Sequence, residues 1–400
     1  MNILIVCNKS PFPPKEGGPI AMNAIITGLL DAGHSVKVIA INSNKYHVSP
    51  DEIPVNYREK TRIEFVDVDL SVKPCKALAN LFSNRSYHVE RFISAALENK
   101  ISEVVQNDNF DIIQFETLYI SPYIETIRKY SNAKIILRAH NIEHLIWERV
   151  ALSCKQPVKR RYLWHLARTL KKYELNALHK FDGIAAITRK DAIYFRNCGT
   201  IAPVTDISFG INFDNYQEDN SATEFPSVFH IGAMNWIPNN EGIKWFLENI
   251  WGKINILFPD LTFYIAGREM PDWIQKKKYP NVEILGEVED ASAFMRSKAI
   301  MVVPLFSGSG IRIKIIEGMA LGKTIITTRI GAEGINCTDN ENVIIADNPI
   351  DFIAALKKCL ENKELCCKIG SNARKLIEKE HNNQLIIRKL THFYDQVIQS

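Results

Sequence analysis

Lys314 and Glu317 are a cation and a carboxylate three residues apart, just after the small-residue run Ser307-Gly308-Ser309-Gly310. At about 100° per residue they fall, with Gly318, on one side of a helix. Ile315, Ile316, Met319 and Ala320 fill most of its remaining surface with apolar groups. Glycines that feed a helix N-terminus turn free backbone N–H groups and a partial positive charge toward one point, which suits a phosphate. A diphosphate could meet Lys314 there, with Ile311 and Arg312 leading in, and a sugar's vicinal hydroxyls could meet Glu317. An i,i+3 surface ion pair on an ordinary helix accounts for the same two residues equally well.

A second group of candidates is Ala139-His140-Asn141-Ile142-Glu143-His144, directly after the apolar stretch 134–138. An imidazole at the carboxyl end of a strand can contact a phosphate or act beside a sugar, with Glu143 to orient it or to bind a hydroxyl. The plainer reading makes Asn141 a helix cap and the histidines incidental. Asp67-Val68-Asp69 has the spacing of a metal-binding D-x-D. It sits in an alternating strand pattern with both aspartates on the solvent side, and no Cys/His/Asp/Glu cluster has ligand spacing, so no metal is expected.

The elements that must position these residues alternate strand and helix. Residues 2–6 are a strand of the buried type, 22–32 a helix closed by Gly33, and 35–41 the next strand, so the chain opens on a βαβ unit. The connection 7–20 is long and proline-rich, and its Gly17-Gly18 would let backbone amides approach a ligand. Strands follow at 111–115, 134–138 and 181–188. Residues 208–227 are polar, hold four acidic residues and have no apolar period, which predicts an interdomain linker. A second alternating series begins at 228–231 with Gly232-Ala233-Met234-Asn235-Trp236, continues through a helix at 239–250 and a strand ending in Gly267-Arg268, and includes 299–305 before the glycine run. Two α/β domains of similar length imply a cleft between them.

The whole chain sets limits. Four hundred residues suggest two to three domains, and 46% hydrophobic and 24% charged residues are ordinary for a globular protein. A net charge of +4 with no Arg/Lys-rich recognition motif argues against nucleic acid. Eight scattered cysteines without a C-x-x-C pair point to a reducing compartment. No apolar run approaches a membrane span, and Met1-Asn2 leads directly into a strand without space for a signal peptide, so a cytoplasmic location is expected. Residues 155–172 carry seven Lys/Arg and no acidic residue, interleaved with Trp164 and leucines. That composition predicts peripheral contact with the inner face of a membrane, or else a solvated basic face over an internal apolar stripe.

Taken together, the sequence resembles the GT-B glycosyltransferases, and most closely glycosyltransferase family 4, over nearly its full length. The resemblance is carried by the stretch 308–323, by 232–242 with Trp236 and Pro238-Asn239, by the Gly17-Gly18 loop and by His140-Asn141-Ile142-Glu143. It implies two Rossmann-like doubly wound domains, residues 1–212 for the acceptor and 213–382 for the donor. A C-terminal helix, about 383–400, returns to the first domain. It further implies transfer of a sugar from a nucleotide-sugar with retention of configuration, onto a glycan or lipid-linked acceptor in cell-surface polysaccharide assembly, with no metal and no cofactor. Glu317 matches the second glutamate of the family's E-x7-E motif, which holds the ribose, and His140 matches its catalytic-site histidine. Gly17, Gly18, Gly232, Asn235, Arg268, Gly308, Ser309, Gly310, Ile311 and Arg312 would line the donor site. Asn141 and Glu143 would face the acceptor.

Two positions depart from that pattern. Ser309 stands where the first glutamate of E-x7-E belongs, and Ala233-Met234 where an arginine often follows the glycine; a subset of the family shares both, and Lys314 with Arg268 can supply the missing charge. Ser309 also motivates a second hypothesis, a catalytically silent GT-B scaffold or regulatory protein. A third, a nicotinamide oxidoreductase, is disfavoured because Ile313 breaks G-x-G-x-x-G and the run is far from the first strand.

Overall fold

Runs of β-branched and other apolar residues with no polar alternation form strands only where both faces of a sheet are covered. In the first such run Ile3, Leu4, Ile5 and Val6 are all fully buried. Leu4 and Val6 join the core on one face of their sheet, with Ile113 and Phe115, while Ile3 and Ile5 join the other with Ile112 and Ile136. Each such side chain taken wholly out of water is worth roughly 1.5–3 kcal/mol, which fixes the strand centrally.

The computed structural model describes residues 1–14, 16–216, 223–308 and 310–400. Contacts divide it into two compact units, Met1–Gly210 with Asn383–Ser400, and Ile211–Asn382. The first holds strands β1 (Asn2–Cys7), β2 (Ser35–Asn42), β3 (Glu64–Asp67), β4 (Ile112–Phe115), β5 (Lys134–Ala139), β6 (Gly183–Ala186) and β7 (Val204–Asp206). They form one parallel sheet in the order β3-β2-β1-β4-β5-β6-β7. The second unit holds β8 (Glu224–Ile231), β9 (Phe263–Ala266), β10 (Val282–Gly286), β11 (Lys298–Val303), β12 (Thr324–Thr327) and β13 (Ile344–Ile345). Its sheet is also parallel, in the order β10-β9-β8-β11-β12-β13. Each sheet reverses its strand order once, between β1 and β4 and between β8 and β11. In open α/β sheets ligands bind outside the carboxyl ends of the strands at such a reversal.

Three sequence expectations change. The first helix runs Gly17–Asp31, beginning five residues before the expected start. Pro19 lies in its first turn, where backbone N–H groups have no intrahelical acceptor anyway, so Gly-Gly-Pro does not prevent the helix. Gly17 and Gly18 are thus the helix start itself. Residues 217–222 of the expected linker lie outside the described residues, and the parts on either side are structured: Ile211 pairs with Asn382, Tyr216 contacts Glu317, and β8 already begins at Glu224. Ile211 and Tyr216 are single anchoring residues, and such anchors leave no period to read. The short β7 has no apolar run and was not expected. The C-terminal Asn383–Gln399 helix buries Ile386, Ile387, Leu390, Phe393, Tyr394 and Val397 against the first unit's sheet.

Candidate active site

In the second unit, β11 feeds the loop that holds Gly308 and Gly310 and then the Ile313–Ala320 helix. Gly308 has φ 107° and Gly310 φ 77°, a region that favours glycine. A Cβ on Gly308 would stand 3.1 Å from the Trp236 ring, and Arg312 lies 5.5 Å from the centroid of that ring. Ile311 is half-buried and Arg312 buried. Ser309 lies outside the described residues. The loop is therefore seated on Trp236, the residue that precedes the Ile237–Phe246 helix.

Lys314 sits in the first turn of its helix and reaches back to the end of β8. Its Nζ donates to Asn239 Oδ1 at 2.6 Å and lies 3.5 Å from His230 Nε2. Gly232 leaves room for this arrangement, since a Cβ there would stand 3.0 Å from that Nζ and 2.7 Å from Asn239 Nδ2 and would push both side chains aside. Burial, with the Arg312 charge in the same direction, brings the Lys314 ammonium down to about 7. Glu317 points elsewhere: the Tyr216 hydroxyl donates to its Oε1 at 2.7 Å. Burial raises its carboxyl, opposed by that hydrogen bond. Lys314 and Glu317 are not an ion pair, so the surface-pair reading falls. Asn235 and Arg268 brace the neighbouring loop. Asn235 Nδ2 donates to Glu269 Oε1 at 2.7 Å, and the Arg268 carbonyl accepts from Met234 N at 2.9 Å.

In the first unit the carboxyl ends of β1, β4 and β5 gather a charged cluster. His140 Nε2 is 2.7 Å from Glu116 Oε2, and the same oxygen accepts from Arg138 Nη1 at 3.0 Å. Glu116 Oε1 is held by Gln114 Nε2, whose own Oε1 accepts from Tyr394 on the C-terminal helix, each at 2.5 Å. Glu116 and Arg138 are almost wholly buried. Burial alone would raise the Glu116 carboxyl, but Arg138 and His140 outweigh it and hold it at about 2. His140 is lowered by burial, with the Glu116 hydrogen bond opposing and the Arg138 and Lys9 charges adding to the fall. Lys9 also packs at Gly18, where a Cβ would be 3.1 Å from its Cε. An imidazole fixed through Nε2 by a buried carboxylate keeps Nδ1 for another partner.

Beyond His140, Asn141 is half-buried and Glu143 begins the Glu143–Ser153 helix. Its carboxyl accepts from the Tyr119 hydroxyl at 2.8 Å, and burial, with Glu174 adding, brings it up to about 7. It therefore does not orient His140, as the sequence reading considered; Glu116 does. Glu174 accepts from the backbone N–H groups of Glu143 and His144 and from His144 Nδ1. His144 is fully buried, with Nε2 3.0 Å from the Tyr194 hydroxyl, and serves the packing of that helix.

Residues 225–362 match the family model described as glycosyl transferases group 1. That stretch covers most of the second unit, which is therefore similar to the glycosyl transferases of group 1. An uncharacterized 44.6 kDa protein in the cps region of Klebsiella pneumoniae is 21% identical to this chain over 97% of it and 98% of its own length. The capsular polysaccharide biosynthesis glycosyltransferase CapM of Staphylococcus aureus is 22% identical over 74% of this chain and 90% of its own. Sucrose-phosphate synthase from Thermosynechococcus elongatus has a TM-score of 0.72 at 14% identity, covering 100% of both chains. Anabaena HepE in complex with UDP has 0.68 at 14%, covering 99% of this chain and 100% of its own. The fold of the chain is GT-B, two Rossmann-like parallel-sheet units.

Sequence reasoning missed several partners at these sites. His230, at the carboxyl end of β8, and Asn239, in the first turn of the helix after it, could have been suspected at Lys314 from those places. Glu116, after β4 at the strand reversal, had the same positional signal as His140. Tyr216 and Glu174 had none, because each comes from an element remote in sequence. The D-x-D aspartates do not share a strand: Asp67 ends β3 and is exposed, while Asp69 lies beyond it and pairs with Lys73 at 3.2 Å.

Proposed function

We propose that this chain is a retaining, metal-independent glycosyltransferase that moves a sugar from a nucleotide-sugar to a glycan or lipid-linked acceptor in cell-surface polysaccharide assembly. One observation carries the reading. At the strand reversal of the second sheet, Lys314 lies over Gly232 beside a glycine loop, with Glu317 one turn further along the same helix. The helix start and Lys314 suit a diphosphate, and Glu317 suits vicinal ribose hydroxyls. Gly232, Gly308, Gly310, Ile311 and Arg312 shape that donor site, with Asn235 and Arg268 in the loop beside it. The named relatives support the polysaccharide setting, since one lies in a cps region and another acts in capsular polysaccharide biosynthesis. The neighbour with bound UDP supports the donor class.

Catalysis in this reading is positioning plus stabilisation of the leaving diphosphate. Lys314 and the helix N-terminus take the developing phosphate charge. In the first unit His140 is the reacting-centre imidazole, and Asn141 and Glu143 attend the acceptor. Turnover of the donor, including slow hydrolysis without acceptor, is expected to persist in EDTA. Loss in EDTA with recovery in magnesium or manganese would contradict metal independence, and absence of hydrolysis or transfer with every donor would favour the silent scaffold.

The segment 155–172 is divided by the structure. Leu163, Leu166 and Leu170 are buried, so the apolar stripe serves the core. Lys155, Lys159, Arg160, Arg161, Arg168, Lys171 and Lys172 remain exposed beside Val158 and Trp164. Among the described residues no helix is long and apolar enough to cross a membrane. A peripheral contact at the cytoplasmic face of the membrane would use the basic outer side. At roughly 1 kcal/mol per basic side chain near an anionic surface, three or four engaged residues give salt-sensitive cosedimentation with phosphatidylserine vesicles. Equal or no cosedimentation with neutral and anionic vesicles would leave the segment a solvated face.

A further inference from the structure

Lys314 is held in an unusual way for a cation at an anion site. Its partners are two neutral acceptors, Asn239 Oδ1 and His230 Nε2. Both are aimed by backbone carbonyls. His230 Nδ1 is 2.8 Å from Val302 O, and a carbonyl only accepts, so Nδ1 carries the proton and Nε2 presents a lone pair to Lys314. Asn239 Nδ2 donates to Ala233 O at 2.9 Å, which turns its Oδ1 toward Lys314. His230 is fully buried and Asn239 nearly so, and burial keeps the imidazole neutral well below its ordinary range.

The charged group that acts on Lys314 from its own chain segment is Arg312, of like sign. Glu317 on the same helix is engaged by Tyr216. Among the described residues no carboxylate lies within ion-pair distance of Lys314. Two acceptors satisfy the two N–H groups of a neutral amine. The third tetrahedral direction of Nζ then holds a lone pair in the neutral form and an N–H donor in the charged form.

We propose that binding of a nucleoside diphosphate is coupled to uptake of one proton by Lys314, whose amine is held open for it by Asn239 and His230. The inference rests on the donor-site reading above. A proton from buffer adds to the Nζ lone pair and no bond breaks; the new N–H⁺ donates to a phosphate oxygen, whose negative charge favours the protonated form. With the free amine titrating at about 7, donor affinity is highest below that pH and falls as pH rises through it, until the proton affinity of the bound state is reached.

Calorimetric titration with UDP, GDP, ADP and dTDP at pH 8.0 in buffers of different ionisation enthalpy counts the protons. At that pH the free diphosphates are already ionised, so uptake reports the protein. Whichever nucleotide binds is expected to take up a large fraction of one proton per site. Lys314→Arg, charged at all accessible pH, should bind with uptake near zero. Asn239→Asp, which places a carboxylate against the amine and charges it beforehand, should also lose the uptake. Measurable binding with no uptake by the wild type, or uptake retained in Lys314→Arg, would overturn the coupling. If no nucleotide binds, the donor-site reading itself fails, and the coupling with it.

Discussion

His140→Ala is expected to lower turnover by on the order of 10²–10⁴-fold while leaving donor affinity within about twofold. The imidazole is fixed 2.7 Å from Glu116, and Glu116 is fixed by Arg138 and Gln114, so its geometry is set before any substrate arrives. Preorganisation of that kind benefits the transition state more than the ground state. The partners that hold His140, Glu116 and Arg138, belong to the first unit, whereas the proposed diphosphate site is built from residues of the second, which is why the dissociation constant of the donor should hardly move. Steady-state kinetics beside calorimetric titration separate the two quantities. An unchanged turnover number removes His140 from the chemistry.

Glu317→Ala should act in the opposite way, on affinity. A carboxylate that accepts charge-assisted hydrogen bonds from ribose hydroxyls contributes on the order of 1.5–3 kcal/mol, so donor and free nucleoside diphosphate should both weaken roughly 10- to 150-fold. The variant also leaves the Tyr216 hydroxyl without its acceptor, so the thermal midpoint should fall somewhat. Tyr216→Phe controls for this, because it removes the same internal hydrogen bond but keeps the carboxylate, and its affinity should fall far less. Equal dissociation constants for wild type and Glu317→Ala would remove Glu317 from the donor site.

The central strands of the two sheets were legible because they are continuous apolar runs, which identify strands covered on both faces, whereas the short edge strand β7 has no such run. The loops at the strand ends were legible where glycines or a histidine marked them, as at Gly232, Gly308, Gly310 and His140. What was not legible depends on side chains meeting from distant parts of the chain. Lys314 and Glu317 share a helix face at i,i+3 spacing, so the sequence allowed them to pair. Only the placement of Asn239 and His230 on one side and Tyr216 on the other shows that they diverge. The basic segment 155–172 showed the same limit. Its leucines and its cations are interleaved in sequence, yet the helix sends the former inward and the latter outward. Composition cannot separate those faces without knowing what covers them.

The central claim is that the second unit binds a nucleotide-sugar, and ligand-induced thermal stabilisation tests it most directly. The intact chain is unfolded with UDP-, GDP-, ADP- and dTDP-sugars, and with NADH, over a range of concentrations. One nucleotide class should raise the midpoint in a saturable way, approaching about 2.7 kcal/mol of stabilisation at a concentration ~100 times its dissociation constant, and NADH should not. No shift with any nucleotide-sugar, or a saturable shift with NADH alone, would contradict the account.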